Sequence, residues 1–168
     1  MFYHAPAGTD LPAYPGEELD EDWAEVGAVS SDGISFNSNW SFEKLKDWAK
    51  QTQRTLPSDD NGTVSVPVIA TTEESFKTCF GTKNVTVTPA TQDHGKLIAV
   101  DFASDGMPEA EAYLFLVKDE DDMIMLGTTK GYITELAEVA FQPDQAISWN
   151  PTISADKWTI MKDDGQKS

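Results

Sequence analysis

From residue 23 onward the chain is built of short apolar–polar runs broken by Gly, Asp, Asn and Pro at intervals of roughly 8–12 residues. A period of two places successive side chains on opposite faces of a strand. Frequent turns keep each strand short. Together these features specify an antiparallel sandwich or barrel rather than a helical bundle. Strand-like runs cover residues 24–30, 34–37, 63–70, 85–88, 96–102, 112–118, 123–129, 131–141, 146–153 and 158–161, and pattern counting gives roughly eight to ten strands. Ser31-Asp32-Gly33 is turn chemistry and joins the first two runs as a hairpin, and Asp119-Glu120-Asp121-Asp122 forms a hairpin tip. Val64, Val66 and Val68 fall on one face of their run, and Pro67 marks it as an edge strand or a bulge.

Two segments carry helical signals. Thr71-Thr72-Glu73-Glu74-Ser75, followed by Phe76 and Phe80, reads as a helix of two to three turns over residues 72–80. Thr71 with Glu74 supplies a capping box, and Gly81 is a natural stop. Residues 41–50 place Phe42, Leu45, Trp48 and Ala49 at helical spacing behind Ser41, and read as a helix or an irregular loop. Residues 1–22 show no periodicity. Pro6, Pro12 and Pro15 interrupt them and acidic residues charge them, so they read as an extended arm ahead of a single domain over 23–163 and a frayed tail at 164–168. Phe2 and Tyr3 at the tip of such an arm imply docking, onto a neighbour or onto the arm's own domain.

The chain has 168 residues, enough for one domain with a real core. Its 29 acidic side chains against 12 basic ones give a formal net charge of -17. Such a surface repels phosphate, which argues against sequence-specific nucleic-acid binding and against anionic membranes. A single cysteine, Cys79, rules out an internal disulfide and reads as a buried thiol. The start of the chain carries neither a basic region nor an apolar core, so no secretory signal is expected, and the longest apolar stretches are far short of a membrane span.

The search for chemistry returns little. No G-x-S-x-G elbow, P-loop, H-E-x-x-H or G-x-G-x-x-G is present. The histidines are His4, in the arm, and His94, in a polar turn beside Asp93. The Asp119–Asp122 cluster lacks the alternating ligands and glycine of a calcium loop, and reads as a solvated edge that blocks unwanted sheet pairing. No catalytic residue, metal site or cofactor is expected, and the chain reads as a non-enzyme. Trp23, Trp40, Trp48, Trp149 and Trp158 could stack sugars on a flat β face, as in a carbohydrate-binding or adhesion module, or could anchor core and interface.

The basic residues are unevenly spread. Lys44, Lys46, Lys50 and Arg54 fall within eleven positions, opposed there only by Asp47. A positive, aromatic segment on a very negative subunit is self-complementary and could dock onto an acidic surface of another copy. The bland alternative is an amphipathic surface helix with its lysines in water. Trp40, Phe42, Lys44, Lys46, Trp48, Lys50, Arg54 and Leu56, with Phe2 and Tyr3, are therefore candidate inter-subunit contacts.

The order Trp23-Ala24-Glu25-Val26-Gly27, Val29-Ser30-Ser31-Asp32-Gly33-Ile34-Ser35-Phe36, the Lys44 to Trp48 stretch, Arg54-Thr55, Ala70-Thr71-Thr72-Glu73-Glu74-Ser75-Phe76-Lys77, Phe80-Gly81 and Trp149-Asn150-Pro151-Thr152 resembles the major tail tube proteins of long, non-contractile-tailed phages of Gram-positive, particularly actinobacterial, hosts. The resemblance spans most of residues 20–155 and rests on order and spacing. It implies a β-sandwich or half-barrel with a flanking helix, here Glu73, Glu74, Phe76, Lys77 and Phe80. It also implies hexameric rings whose inner sheets join into a barrel. Rings would stack around a tape-measure protein, meet tail terminator and distal tail proteins at the ends, and let DNA pass without specific binding. The arm and the 41–62 loop would link subunits, and assembly would occur in the host cytoplasm, ending in the virion. Relatives with an extra immunoglobulin-like C-terminal domain exist, and no such domain is expected here.

Overall fold

One strand, long enough to belong to two sheets, organises the molecule. The computed structural model describes residues 1–46, 52–59, 61–102 and 106–165. In chain order these form β1 (Phe2–Pro6), β2 (Ala24–Glu25), β3 (Ser35–Ser38), β4 (Ser41–Lys46), β5 (Thr52–Asp59), β6 (Gly62–Ser65), α1 (Glu73–Phe80), a 3-10 turn (Thr82–Asn84), β7 (Val85–Thr88), β8 (Leu97–Val100), β9 (Glu111–Asp119), β10 (Asp122–Leu136), β11 (Pro151–Ala155) and β12 (Thr159–Asp163). The main sheet runs β2-β1-β9-β10-β11-β6-β3, with β12 also on β10. The first part of β10 pairs antiparallel with β9 and β12, and residues 132–136 pair with β11. β4–β5 and β7–β8 are separate two-stranded hairpins. The fold is mainly β, as the alternation predicts, and with one short α-helix among the described residues it agrees with the sandwich or half-barrel that the resemblance implies.

Residues 123–129 and 131–141, expected as two strands, are one strand as far as Leu136. The register with β9 shifts between Thr128 and Gly131, a bulge that bends the strand from one sheet into the other. Thr128 closes it locally, its hydroxyl donating to the Lys130 carbonyl at 3.1 Å. Gly131 leaves little room for a side chain: a Cβ there would lie 3.0 Å from Tyr113 Cδ2 and 3.1 Å from Ile153 Cγ2, so these neighbours would have to give way slightly.

Of the two docking alternatives for the extended amino-terminal arm, the structure has it on its own domain, and regular structure begins at Phe2 rather than at Trp23. β1 is an interior strand between β9 and β2, with Phe2 opposite Phe115 and His4 opposite Tyr113. The Phe2 ring stacks on Phe115 at 4.6 Å and is 0% exposed. Leu11, Leu19 and Trp23 then pack with Ala112, Leu114, Leu116 and Met125 on the opposite face of the sheet. Gly127 admits this cover, since a Cβ there would meet Leu11 Cδ2 at 2.7 Å. β9 is thus covered on both sides, which explains why Ala112 through Leu116 is a continuous apolar run rather than an alternating one. The second core lies between the two halves of the sheet and joins Phe2, Tyr113, Phe115 and Leu126 to Val64, Ile133 and Ile153.

Other boundaries also move. The 31–33 turn forms, with the Gly33 amide donating to Ser30 at 3.0 Å, but its flanks do not pair with each other: β2 joins β1 and β3 joins β6. Residues 41–46 are a strand, not a helix or loop, because β5 offers a hydrogen-bonded ladder that a short isolated helix lacks. β6 ends at Ser65, and Val68 continues only as isolated bridges to Val29 and Trp149. Helix α1 is capped by Thr72 and Ser75, not by Thr71 and Glu74: Ser75 N donates to Thr72 Oγ1 at 3.1 Å, and Thr72 N to Ser75 Oγ at 2.8 Å. Thr71 instead accepts from Trp149 Nε1 at 3.2 Å, tying the helix start to the core. Gly81 ends the helix at φ 88°.

Two stability predictions follow from the core. Phe2→Ala removes a ring buried on the inner face and is expected to cost about 3–5 kcal/mol in denaturant unfolding. The Tyr113 hydroxyl is buried without a hydrogen-bond partner, so Tyr113→Phe should hold stability level or raise it by about 1 kcal/mol; a clear loss would show that the hydroxyl is satisfied.

Candidate assembly surfaces

The sheet ends in strands with one neighbour each. Among the described residues β2 pairs only with β1, β3 only with β6 and β12 only with β10, so each leaves a row of backbone donors and acceptors open. Two of these borders are also apolar: Phe36 on β3 and Ile160 on β12 are exposed. Trp158 lies edge-on to Phe36 at 6.2 Å and donates from Nε1 to the Gly62 carbonyl at 2.9 Å, which stiffens the β3–β6 border.

A second apolar surface flanks α1. Phe76 and Phe80 set their rings edge-on to Trp149 at 5.1 and 5.5 Å. Phe102 and Phe141 extend this cluster outward, against Phe80 and Trp149 respectively, and both are largely in water. Of the described tryptophans, Trp23 and Trp149 are buried and Trp158 is packed against the core, while Trp40 is 72% exposed. A sugar-stacking row of tryptophans is therefore not assembled among the described residues.

Charge is segregated. No Lys or Arg precedes Lys44, and Asp10, Glu18, Asp20, Glu21 and Asp22 are all exposed on the segment that covers the sheet. The β9–β10 tip adds Asp119 to Asp122 next to Asp163 on β12, where Lys162 pairs with Asp122 at 2.5 Å. The Asp122 carboxylate raises the Lys162 pKa. The basic segment falls on the β4–β5 hairpin: Lys44 is exposed on β4, Phe42 and Lys46 are strand positions beside it, and Arg54 and Leu56 are positions on β5. Trp48 and Lys50 lie outside the described residues. Phe2, expected at an inter-subunit surface, is corrected to the subunit's own core, where burial removes it from contact with a neighbour. Tyr3 is half-buried on the opposite face, and burial with the nearby Glu25 raises its pKa.

Helix α1 presents Glu73, Glu74 and Lys77 in one ion-pair network. Lys77 reaches Glu73 at 2.7 Å and Glu74 at 3.0 Å, and Lys96 reaches Glu73 at 2.5 Å. Hydrogen bonds from Lys77 and Lys96 lower the Glu73 pKa from 4.5 to about 2. Its contribution is therefore present above pH 4.5 and fades as pH falls toward 2. Glu74 also reaches across to His4, a contact that no local pattern announces, since 70 positions separate the two residues.

Among the described residues no group of three or more His, Cys, Asp or Glu is arranged to hold a metal ion, and no described helix is long and apolar enough to cross a membrane. Burial raises the Cys79 pKa to about 12, which leaves the thiol unreactive.

Comparison with known proteins converges with this picture. Among solved structures the chain is similar to one in the cryo-EM structure of the anti-feeding prophage cap, the AFP tube terminating cap, with a TM-score of 0.50 and 10% identity over 91% of this chain and 93% of that one. At that identity the likeness concerns the fold. A search of curated proteins finds no match. A family model described as phage tail tube protein matches residues 1–157. The chain belongs to the phage tail tube protein family and is a structural component of a phage tail.

Proposed function

We propose that this subunit builds the tube of a long, non-contractile tail of the kind found on phages of Gram-positive, particularly actinobacterial, hosts. Six copies form a ring and rings stack. The tube encloses a tape-measure protein, meets terminator and distal proteins at its ends, and later conducts DNA. Assembly takes place in the host cytoplasm. The subunit acts by shape and charge, without catalysis.

The observation that carries this reading is the set of open strand borders, two of them bearing exposed apolar rings or chains, on a domain whose family forms tubes. Pairing a border of one copy with that of the next satisfies the open backbone groups and buries Phe36 and Ile160. A heterologous contact of this type closes into a ring when the rotation allows. A second term is electrostatic. The β4–β5 hairpin is basic, the covered sheet and the β9–β10 tip are acidic, and opposite charges on different parts of one subunit favour stacking in a single register. Six copies carry a formal charge of -102, six times the -17 of one. Carboxylates facing a lumen repel DNA phosphates over roughly 8 Å at physiological salt, which keeps transit free of sticking.

Two imaging experiments test this. Concentrated protein, or protein mixed with its tail-initiating partners, should give rings or tubes in electron micrographs; strictly monomeric particles under both conditions would remove the reading. Reversing Lys44, Lys46, Lys50 and Arg54 to Glu should abolish tubes while circular dichroism of the subunit stays unchanged. Tubes that persist would show that the hairpin lies away from the interface.

A further inference from the structure

One titratable group sits where neither the fold core nor the assembly surfaces use it. His4, in the middle of β1, is 8% exposed and holds a carboxylate on each side of its ring. Nδ1 lies 2.9 Å from Glu111 Oε2 on β9, and Nε2 lies 3.1 Å from Glu74 Oε2 on α1. Carboxylates only accept hydrogen bonds, and a neutral imidazole has one N–H. Both contacts are therefore hydrogen bonds only when both nitrogens carry protons. In either neutral tautomer one ring lone pair would point at a carboxylate oxygen.

We propose that His4 is a proton-operated clasp, fastening the N-terminal strand to both β9 and α1 while doubly protonated and releasing one of the two when it loses a proton. The surrounding groups favour the closed form. From α1, Glu74 shares its other oxygen with Lys77, which also holds Glu73. From β9, Glu111 faces the ring directly, and Tyr113 is the residue opposite His4 in the ladder. Asp22 lines the same cleft of about 640 Å³, as does Lys83, which pairs with Glu109. Burial disfavours the imidazolium, but hydrogen bonding and charge from Glu111 and then Glu74 outweigh it, so the pKa is raised from 6.5. The sign follows: the stabilisation is fully present below pH 6.5 and is lost as pH climbs through the higher value of the folded state.

The contact is internal to one subunit, so it is tested on the isolated protein and is independent of tube formation. Nitrogen-15 spectra of the histidine rings should show His4 with both nitrogens protonated at pH 6 and titrating above 6.5. The thermal midpoint of the unaltered protein should fall by roughly 4 °C more between pH 6 and pH 9 than that of His4→Gln. Glu111→Gln should bring the ring's titration back down. A single neutral tautomer at pH 6, or a His4→Gln protein with the same pH slope as the parent, would overturn the clasp. If His4→Gln does not fold, the ring titration of the unaltered protein decides alone.

Discussion

The fold depends on a change of partner within one strand. β10 starts between β9 and β12, bulges at Thr128 to Gly131, and finishes on β11. A regular strand of that length would continue one flat sheet; the bulge increases the local twist and turns the ladder out of plane. The inner core exists because of that bend, since it brings Phe2, Tyr113 and Phe115 on one half to face Val64 and Ile153 on the other. Gly131 is where the close approach happens, and a methyl group there would press on Tyr113 and Ile153.

Burial of the first half-sheet on both faces is the second constraint. The outer cover is irregular chain, residues 7–22, held by Leu11, Leu19 and Trp23 and otherwise polar. Asp10, Glu18, Asp20, Glu21 and Asp22 are exposed to water while its few apolar residues anchor it. The same segment thus completes a core and carries six of the 29 acidic side chains. Packing and electrostatics are combined in one stretch that carries no regular structure beyond the two-residue β2 that follows it.

Much of this was legible in the sequence. Alternation and turn spacing gave the β class, and Thr72 to Gly81 gave the helix with its end. What escaped was non-local. β1 has only five residues and sits among prolines and glycines, and nothing near it announces a partner more than a hundred positions away. The Ala112 to Leu116 run did contain a clue, since a continuous apolar strand implies cover on both faces, and some segment had to provide it. The apolar spacing in residues 41–50 suggested a helix, but Phe42 and Leu45 lie on a strand, because a few apolar residues cannot distinguish a short helix from a strand whose partner lies beyond a turn. For assembly surfaces the charge asymmetry was visible in composition order, whereas the open borders required knowing which strands end the sheet.

The placement of β1 also has a temporal side. The Met1 amino group donates to the Leu116 carbonyl at 2.8 Å, a contact spanning 115 positions. On a ribosome the first strand emerges first, yet its slot does not exist until β9 has been made. The inner core therefore lacks Phe2 and the outer one lacks its lid until the chain has been made through β9. Loop closure over such a span is slow compared with local hairpins. Until that closure is made, a chain complete through β9 lacks the strand that fills the groove beside it.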